Sequence, residues 1–465
     1  MAPKFGTSGL RGLVTELTDP LCAGYVRAFL RAVPQDGRLM IARDLRPSSA
    51  RIAATVADTA AEIGLQVADC GEVPTPALAL AAMSAGAPSV MVTGSHIPAD
   101  RNGLKFYSAA GEITKADEAA IVAGFSEAAP AAKARPEKET AARAAYAARY
   151  TAAYGKALKG LRIAVYQHSS VARDLLAEVL EALGAEVTPL GRSDSFVPVD
   201  TEAVSDDTRR MLTGWAAGAA YDAIVSLDGD ADRPLVTDAA GRVIPGDVIG
   251  TLTAAALGAD TVVTPVSSNT LIEASGLFRA TERTRIGSPY VIAAMEALKA
   301  APGARVVGFE ANGGFLLGFA AEGPSGPIAP LMTRDAFLPI IATLATAAAR
   351  GMPLADLVAG LPARVTASDR LEEVPTEWSQ AFVARLIGDE AARTTFFAGR
   401  RETDIDLTEG LRVTFSDGAI LHLRPSGNAP ELRCYAETSD TASATALVRD
   451  TLARIADLRN HEKAP

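Results

Sequence analysis

Cysteine is scarce in this chain: Cys22, Cys70 and Cys434 are the only three in 465 residues. They are an odd number, widely scattered and without CxxC spacing, which excludes a disulfide framework and argues against a zinc site. Long apolar runs are missing too. No stretch of about 18 apolar residues or more occurs that would span a bilayer. The first residues, MAPKFGTSGLRG, lack the apolar core of a secretion signal, so a cytoplasmic location follows by default. A cationic excess is also absent: 45 Lys and Arg face 55 Asp and Glu, for a net charge of −10. Nucleic acid and anionic membrane surfaces are held by clustered cations, so neither partner is expected. Any anionic ligand must be met by a local group of arginines. What the chain does have is 48% hydrophobic and 22% charged residues, the balance of a globular protein with large cores. Its length suggests three to four domains at about 100–200 residues each.

The same unit recurs along the chain. Residues 39–43 are strand-like, 48–63 carry an alanine-rich helix pattern, 66–70 another strand, 77–85 a helix, and 88–93 a strand. This β-α-β-α-β order predicts a doubly wound sheet, largely parallel and buried. The stretch 128–140, rich in alanine, proline and charge, reads as a boundary. The unit restarts at 161–166, with a helix over 172–183 and strands over 186–190 and 223–227, and again at 261–266 with a strand over 305–310. The last hundred residues differ in kind. Residues 411–415 and 419–423 form a hairpin around Asp417-Gly418, a strand follows at 431–436, and a helix covers 441–458. The reading is three similar doubly wound mixed α/β domains plus a C-terminal α+β domain.

Chemistry concentrates where strands end. Thr93-Gly-Ser-His-Ile-Pro98 follows a buried strand and places Ser95 and His96 at its carboxyl end, where ligands of open α/β sheets gather. Asp228-Gly-Asp-Ala-Asp-Arg-Pro234 follows the strand 223–227. Three carboxylates at alternate positions of an extended loop can share a face and converge on one hard divalent cation. A solvated acidic turn is the plainer explanation, and the third aspartate and the buried strand weigh against it. An EF-hand is excluded, because its sixth and twelfth positions need Gly and Glu where this chain has Arg233 and Ala239. In Leu423-Arg-Pro-Ser-Gly-Asn-Ala-Pro-Glu-Leu-Arg433, two guanidinia, a hydroxyl, an amide and a glycine make a phosphate cradle, though surface arginines around an ordinary turn would look alike. Gly308-Phe-Glu-Ala-Asn-Gly-Gly-Phe315 offers Glu310 and Asn312 to sugar hydroxyls. Gly6-Thr-Ser-Gly-Leu-Arg-Gly12 surrounds Arg11 with small residues that could close on an anion.

Taken in order, GTSGLRG, TGSHIP with Asn102-Gly-Leu-Lys105 after it, DGDADR, EANGG and RPSGNAP resemble the α-D-phosphohexomutase family, its bacterial phosphomannomutase/phosphoglucomutase group in particular. The resemblance covers essentially the whole chain. It implies four domains in a heart-shaped molecule around a central cleft, here 1–145, 146–245, 246–363 and 364–465, carrying in turn the phosphoserine, metal, sugar and phosphate loops. It also implies that Ser95 carries the transferable phosphoryl group and, with Asp228, Asp230 and Asp232, binds Mg²⁺. His96, Lys105 and Arg11 become catalytic candidates, with acid and base roles unassigned, and Arg233 a ligand of the phosphoserine. Glu310, Asn312 and Arg285 would contact the sugar phosphate, with Tyr290 as a weaker candidate. Arg424, Ser426, Gly427, Asn428 and Arg433 would hold its non-reacting phosphate.

The implied reaction interconverts mannose 1-phosphate and mannose 6-phosphate, and glucose 1-phosphate and glucose 6-phosphate, with a hexose 1,6-bisphosphate as activator and intermediate. The expected partner is a hexose phosphate alone, bound by a monomer or weak homodimer. A Mg²⁺-dependent sugar phosphatase using the same serine is the alternative, and a non-enzymatic sugar-phosphate sensor a third. Many members have Gly-Glu-x-Ser-Gly-His where this chain has Phe309-Glu-Ala-Asn-Gly-Gly314, which argues mildly against glucosamine phosphate. A hinge is expected over 362–368, because a substrate that must reorient needs a cleft that loosens.

Overall fold

The computed structural model describes residues 3–6, 9–426 and 430–462. Gly427 and Asn428 lie outside the described residues. By its internal contacts the chain forms two compact units, Met1–Thr264 with Leu277–Glu282 and Gly287–Val358, and Pro265–Gly276 with Arg283–Ile286 and Ala359–Pro465. No helix among the described residues is long and apolar enough to cross a membrane.

The first unit contains three sheets of related design. In the first, Ser89–Val92, Arg38–Arg43, Gln66–Glu72 and Glu137–Lys138 run parallel, flanked by helices such as Asp19–Ala32 and Ser49–Glu62. The former helix starts where the Thr18 hydroxyl accepts the Leu21 N–H and Pro20 fixes the first turn. Its apolar face, with Val26, Phe29 and Leu30, packs into a core with Leu39, Ile41, Ile52, Val56, Val90 and Phe106. In the second sheet Arg162–His168 lies parallel to both Glu186–Arg192 and Ala223–Leu227. In the third Thr261–Pro265 lies parallel to Val306–Phe309.

Each sheet is then extended by an antiparallel strand, so the sheets are mixed rather than largely parallel. Ser89–Val92 returns as Arg101–Ser108, Ala223–Leu227 as Pro234–Thr237, and Val306–Phe309 as Phe315–Leu317. A short polar loop that closes a hairpin leaves no room for the helix a parallel crossover needs. These three hairpin loops are the serine, aspartate and sugar motifs. Topologically they are one feature repeated three times.

The second unit carries an antiparallel sheet in the order Val365–Leu371, Leu432–Thr438, Ile420–Pro425, Leu411–Phe415, Glu402–Asp406. The expected hairpin is present, with Thr414 opposite Ile420 and Gly418 at φ +80° in its turn. Phe382, Phe396, Phe415, Leu423, Leu432 and Ile455 form its core. Of the segment expected as a hinge, residues from Val365 onward belong to a strand paired along its length with Leu432–Thr438, so only the part before it lacks regular structure.

Candidate active site

Ser95 is fully buried and holds φ +53°, a left-handed backbone that a serine adopts only when its surroundings require it. The requirement comes from Asp44 and Arg46, at the end of the strand Arg38–Arg43. The Arg46 guanidinium donates to the carbonyls of Ser95 (2.9 Å), Ile97 (2.5 Å), Pro98 (2.6 Å) and Arg101 (2.9 Å). Asp44 takes Arg46 Nε at 3.1 Å, the Thr93 hydroxyl at 2.7 Å and the Gly94 N–H at 3.3 Å. One buried ion pair thus fixes both ends of the serine loop, and Phe196 covers the guanidinium at 3.9 Å. Neither residue is singled out by the sequence patterns. The available signal was an Asp-x-Arg placed where a buried strand ends.

The Ser95 hydroxyl donates to Asp228 Oδ2 at 2.6 Å. The aspartate loop is not extended. Ala231 sits at φ +59°, and Asp228 Oδ1 accepts the N–H groups of Asp232 (3.1 Å) and Arg233 (3.2 Å), so a tight turn rather than strand alternation brings the carboxylates together. One oxygen from each of Asp228, Asp230 and Asp232 lies within 4.8 Å of the others, and all three residues are buried. Gly229 is required here, because a Cβ would stand 2.5 Å from the Ser95 carbonyl oxygen.

Cations surround this triad. Lys105 Nζ donates to Asp230 Oδ2 and Asp232 Oδ2, both at 2.5 Å. With a relative exposure of 4%, Lys105 is an interior group and not a solvated surface lysine. Arg334 reaches Asp232 Oδ2 at 2.8 Å. Arg233 Nη1 donates to His96 Nδ1 at 2.9 Å, which leaves that nitrogen 3.4 Å from the serine hydroxyl. Arg11 is within electrostatic reach of Arg233, Arg334, Asp230 and Asp232, and burial with the like charges of Arg233 and Arg334 pulls it down to about 10, still protonated near neutrality.

Burial, followed by the Arg233 and Arg11 charges, holds His96 well below its ordinary value, so its imidazole is neutral. Burial together with Asp230 and Asp232 pushes Asp228 well above the usual carboxylate range. For Asp232 burial acts in the same direction, but Arg334, Lys105 and Arg233 outweigh it and keep the group ionised. The donor set fits a hard divalent cation: Asp230 Oδ1 and Asp232 Oδ1 are buried without a hydrogen-bond partner among the described residues, and an ion would relieve the repulsion felt by Asp228.

Glu310, on the sugar loop, is buried and accepts Arg334 Nη1 at 3.1 Å. The Asn312 side-chain oxygen accepts the Gly314 N–H at 3.0 Å, so it shapes the loop. Tyr290 is half-buried, with Lys115 Nζ 5.9 Å from its ring centroid. Thus Arg11, Ser95, His96, Lys105, the three aspartates, Arg233 and Glu310 are brought into one network, joined by Arg334, which sequence reasoning missed.

The remaining predicted residues belong to the second unit. Arg285 is exposed. Arg424 and Arg433 face each other as direct partners on antiparallel strands. Like charges opposite one another are unfavourable, and here each is neutralised by a carboxylate, Arg424 by Glu409 and Arg433 by Glu431 at 2.8 Å. Glu409 also accepts the Ile286 N–H at 2.7 Å, which ties the segment carrying Arg285 to the arginine pair. Ser426 is buried and its N–H donates to the Glu431 carbonyl at 3.0 Å.

A hydroxyl, a carboxylate triad and converging cations buried together at strand ends suit the transfer of phosphoryl groups. Comparison with known proteins narrows this. Successive parts of the chain match the phosphoglucomutase/phosphomannomutase family descriptions: alpha/beta/alpha domain I over residues 2–131, domain II over 132–241, domain III over 245–365, and the C-terminal domain over 363–455. A phosphomannomutase of Sinorhizobium fredii is 48% identical, over 97% of this chain and 98% of its own length. One from Salmonella muenchen is 44% identical, over 97% and 95%, and a phosphoglucosamine mutase of Frankia alni is 30% identical, over 98% of each. The fold is shared with a phosphoglucomutase/phosphomannomutase family protein of Burkholderia thailandensis, at a TM-score of 0.76 and 22% identity over 96% of this chain and 95% of that one. The chain belongs to the α-D-phosphohexomutase family. It is a phosphohexomutase, an isomerase that works as an intramolecular phosphotransferase.

Proposed function

We propose that the protein interconverts mannose 1-phosphate and mannose 6-phosphate, and glucose 1-phosphate and glucose 6-phosphate, through phosphorylated Ser95 and a hexose 1,6-bisphosphate. One observation carries the reading: the Ser95 hydroxyl stands 2.6 Å from Asp228 in a strained loop, among four cationic side chains. A phosphoryl group on Ser95 Oγ would bring close to two negative charges at neutral pH, and Arg11, Lys105, Arg233 and Arg334 supply the charge to hold it. Mannose is favoured because the relatives from S. fredii and S. muenchen are named phosphomannomutases.

Asp228, Asp230 and Asp232 would hold Mg²⁺, which when bound neutralises charge on the transferring group. In the first half-reaction a hexose hydroxyl oxygen bonds to phosphorus as the bond from phosphorus to Ser95 Oγ breaks. The hexose hydroxyl gives its proton to a neighbouring basic side chain while the departing Ser95 Oγ regains one, and in the second half-reaction the bisphosphate returns its other phosphoryl group to Oγ with both proton movements reversed. His96 is neutral and its Nδ1 lies beside Oγ, so it can accept a proton there once a phosphoryl group on Oγ draws the Arg233 guanidinium away from that nitrogen. Lys105, bonded to two carboxylates, can donate a proton or stabilise the phosphoryl oxygens. Arg233 sets the His96 ring through its bond to Nδ1. Glu310 and Asn312 would contact sugar hydroxyls. Arg424, Ser426, Gly427, Asn428 and Arg433, with Arg285, would anchor the non-reacting phosphate. The facing pair of arginines supports that assignment, since two guanidinia opposite one another can grip phosphate oxygens that take the place of the Glu409 and Glu431 carboxylates. On this reading the segments 1–145, 146–245, 246–363 and 364–465 each contribute one loop.

The test is a coupled assay with Mg²⁺ and catalytic hexose 1,6-bisphosphate, run side by side on mannose 1-phosphate and glucose 1-phosphate. Turnover that disappears in Ser95→Ala supports the proposal and ranks the two sugars. Release of inorganic phosphate equal to substrate loss would replace it with hydrolysis, and no turnover of either sugar would refute the substrate assignment.

A further inference from the structure

Arg334 is the largest fully buried side chain among the described residues, on the strand Leu331–Asp335. Its position at a strand end resembles nothing in the motifs that define the site. Yet its guanidinium divides between two loops: Nη2 on Asp232 Oδ2 at 2.8 Å and Nη1 on Glu310 Oε2 at 3.1 Å. Asp232 in turn shares that same Oδ2 with Lys105 at 2.5 Å. A continuous chain of charges therefore runs from the sugar loop through Arg334 into the aspartate triad.

The sugar loop is built around this side chain. A Cβ at Gly314 would stand 2.9 Å from Arg334 Cδ and 3.0 Å from its Cγ. The stem of Arg334 thus fills the space that any side chain at position 314 would claim. The Asn-Gly-Gly form of the loop and an arginine at 334 are matched to each other, and this is where the chain departs from the Ser-Gly-His pattern common among its relatives. Burying a cation between two carboxylates also has a mechanical meaning. A planar guanidinium can satisfy both at once, but strengthening one contact weakens its hold on the other.

We propose that Arg334 is a positioning residue that couples the aspartate triad to the sugar loop: it competes with a divalent cation for Asp232 while holding Glu310 ready for the sugar. The proposal rests on the reading that the triad binds a metal and Glu310 contacts substrate. It explains why one cation-binding carboxylate carries two basic side chains. It also assigns the altered sugar loop a role in metal affinity that loop composition alone does not suggest.

The experiment is Mn²⁺ binding to the purified full-length protein, measured by calorimetry or by the loss of free-ion electron paramagnetic resonance signal. Wild type, Arg334→Met, Glu310→Gln and the double variant are compared. Arg334→Met should bind Mn²⁺ about fivefold or more tightly than wild type, since a competing cation has gone, while KM for hexose phosphate rises. Glu310→Gln should weaken Mn²⁺ binding, because Arg334 then falls wholly to Asp232. That weakening should vanish when Arg334 is already Met. A salt bridge serving only stability predicts the opposite for the metal: in Arg334→Met the Mn²⁺ affinity falls together with the melting temperature. Equal effects of Glu310→Gln in both backgrounds would overturn the coupling. Arg334→Lys, which keeps the charge but loses the fork, covers the case in which the methionine variant does not fold, and should lie between wild type and Met in Mn²⁺ affinity. A value at or below wild type would overturn the proposal. If wild type and Asp232→Asn bind Mn²⁺ identically, the triad is not the metal site, which is a separate failure of the underlying reading.

Discussion

Replacing Arg46 with methionine should expose how much of the protein's stability is invested in the shape of the serine loop. The guanidinium makes four bonds to loop carbonyls and one to Asp44, and both charged side chains are 0% exposed. Adding charged hydrogen bonds at about 1.5–3 kcal/mol each would predict a loss of roughly 7–15 kcal/mol. That sum is too large, because the five bonds belong to one rigid group and the freed carbonyls of a loop can reach water. The decisive term is Asp44. Burial already pushes its carboxyl up against the opposing pull of Arg46, and methionine would leave it buried without a counter-charge, which costs about 3–5 kcal/mol. At about 2.1 cal/mol/K per residue, about 1 kcal/mol moves the melting temperature of a unit as large as the first by roughly 1.4 °C, so that unit should melt about 4–7 °C earlier. Differential scanning calorimetry measures the shift. Arg46→Lys should recover part of the loss, since an ammonium answers Asp44 but cannot span four carbonyls. A methionine variant melting within about 2 °C of wild type would refute the reasoning.

Three further outcomes follow from the same geometry. His168 and His422 are buried, each donating from Nε2 to a backbone carbonyl, of Leu227 at 2.8 Å and Glu409 at 2.6 Å, and burial lowers both to about 4. Because the unfolded chain protonates near pH 6.5 and the folded one only near 4, their stabilising effect is complete above about pH 6.5 and is lost as pH falls towards 4. The slope is about 1.4 kcal/mol per pH unit for each histidine, and denaturant melts of the Gln variants should show it removed one step at a time. Lys105→Met should lower the melting temperature in chelator, because Asp230 and Asp232 lose their shared ammonium, and Mg²⁺ should restore more stability to this variant than to wild type. Chelator alone should leave the wild-type protein folded, by circular dichroism, since four basic side chains already balance the triad.

The parts of the fold legible in the sequence were those decided locally. The helix over Ser49–Glu62 and the strands around it are written in apolar periodicity, and Asp417-Gly418 closes the hairpin between Leu411–Phe415 and Ile420–Pro425 as that turn chemistry requires. The antiparallel return of each sheet was not legible. A buried strand ending in a polar loop looks the same whether the chain next crosses over or turns back, and only the packing of the next strand decides. Ser95, His96, Asp228, Asp230, Asp232 and Lys105 were found because their types and order identify the chemistry. Arg334 and Arg46 were missed for a physical reason: their partners lie on other elements, and a lone arginine at a strand end carries no pattern. The turn at Ala231 shows the converse, an expected convergence of three carboxylates reached through a backbone that was not expected.

The aspartate loop is pinned from outside its own sheet. The Thr75 N–H donates to the Asp230 carbonyl at 3.0 Å, and its hydroxyl donates to the Asp230 carboxylate. Thr75 begins the helix Thr75–Ala85 of the first sheet's layer. The recurring βα pattern invites treatment of the chain as a string of interchangeable modules, and this contact denies it. A chimera that exchanges residues 146–245 for those of a distant relative would inherit the ligands but not the peg that orients them. Recombination between such genes should therefore succeed where the crossover carries Thr75 together with the aspartates, and fail where it parts them.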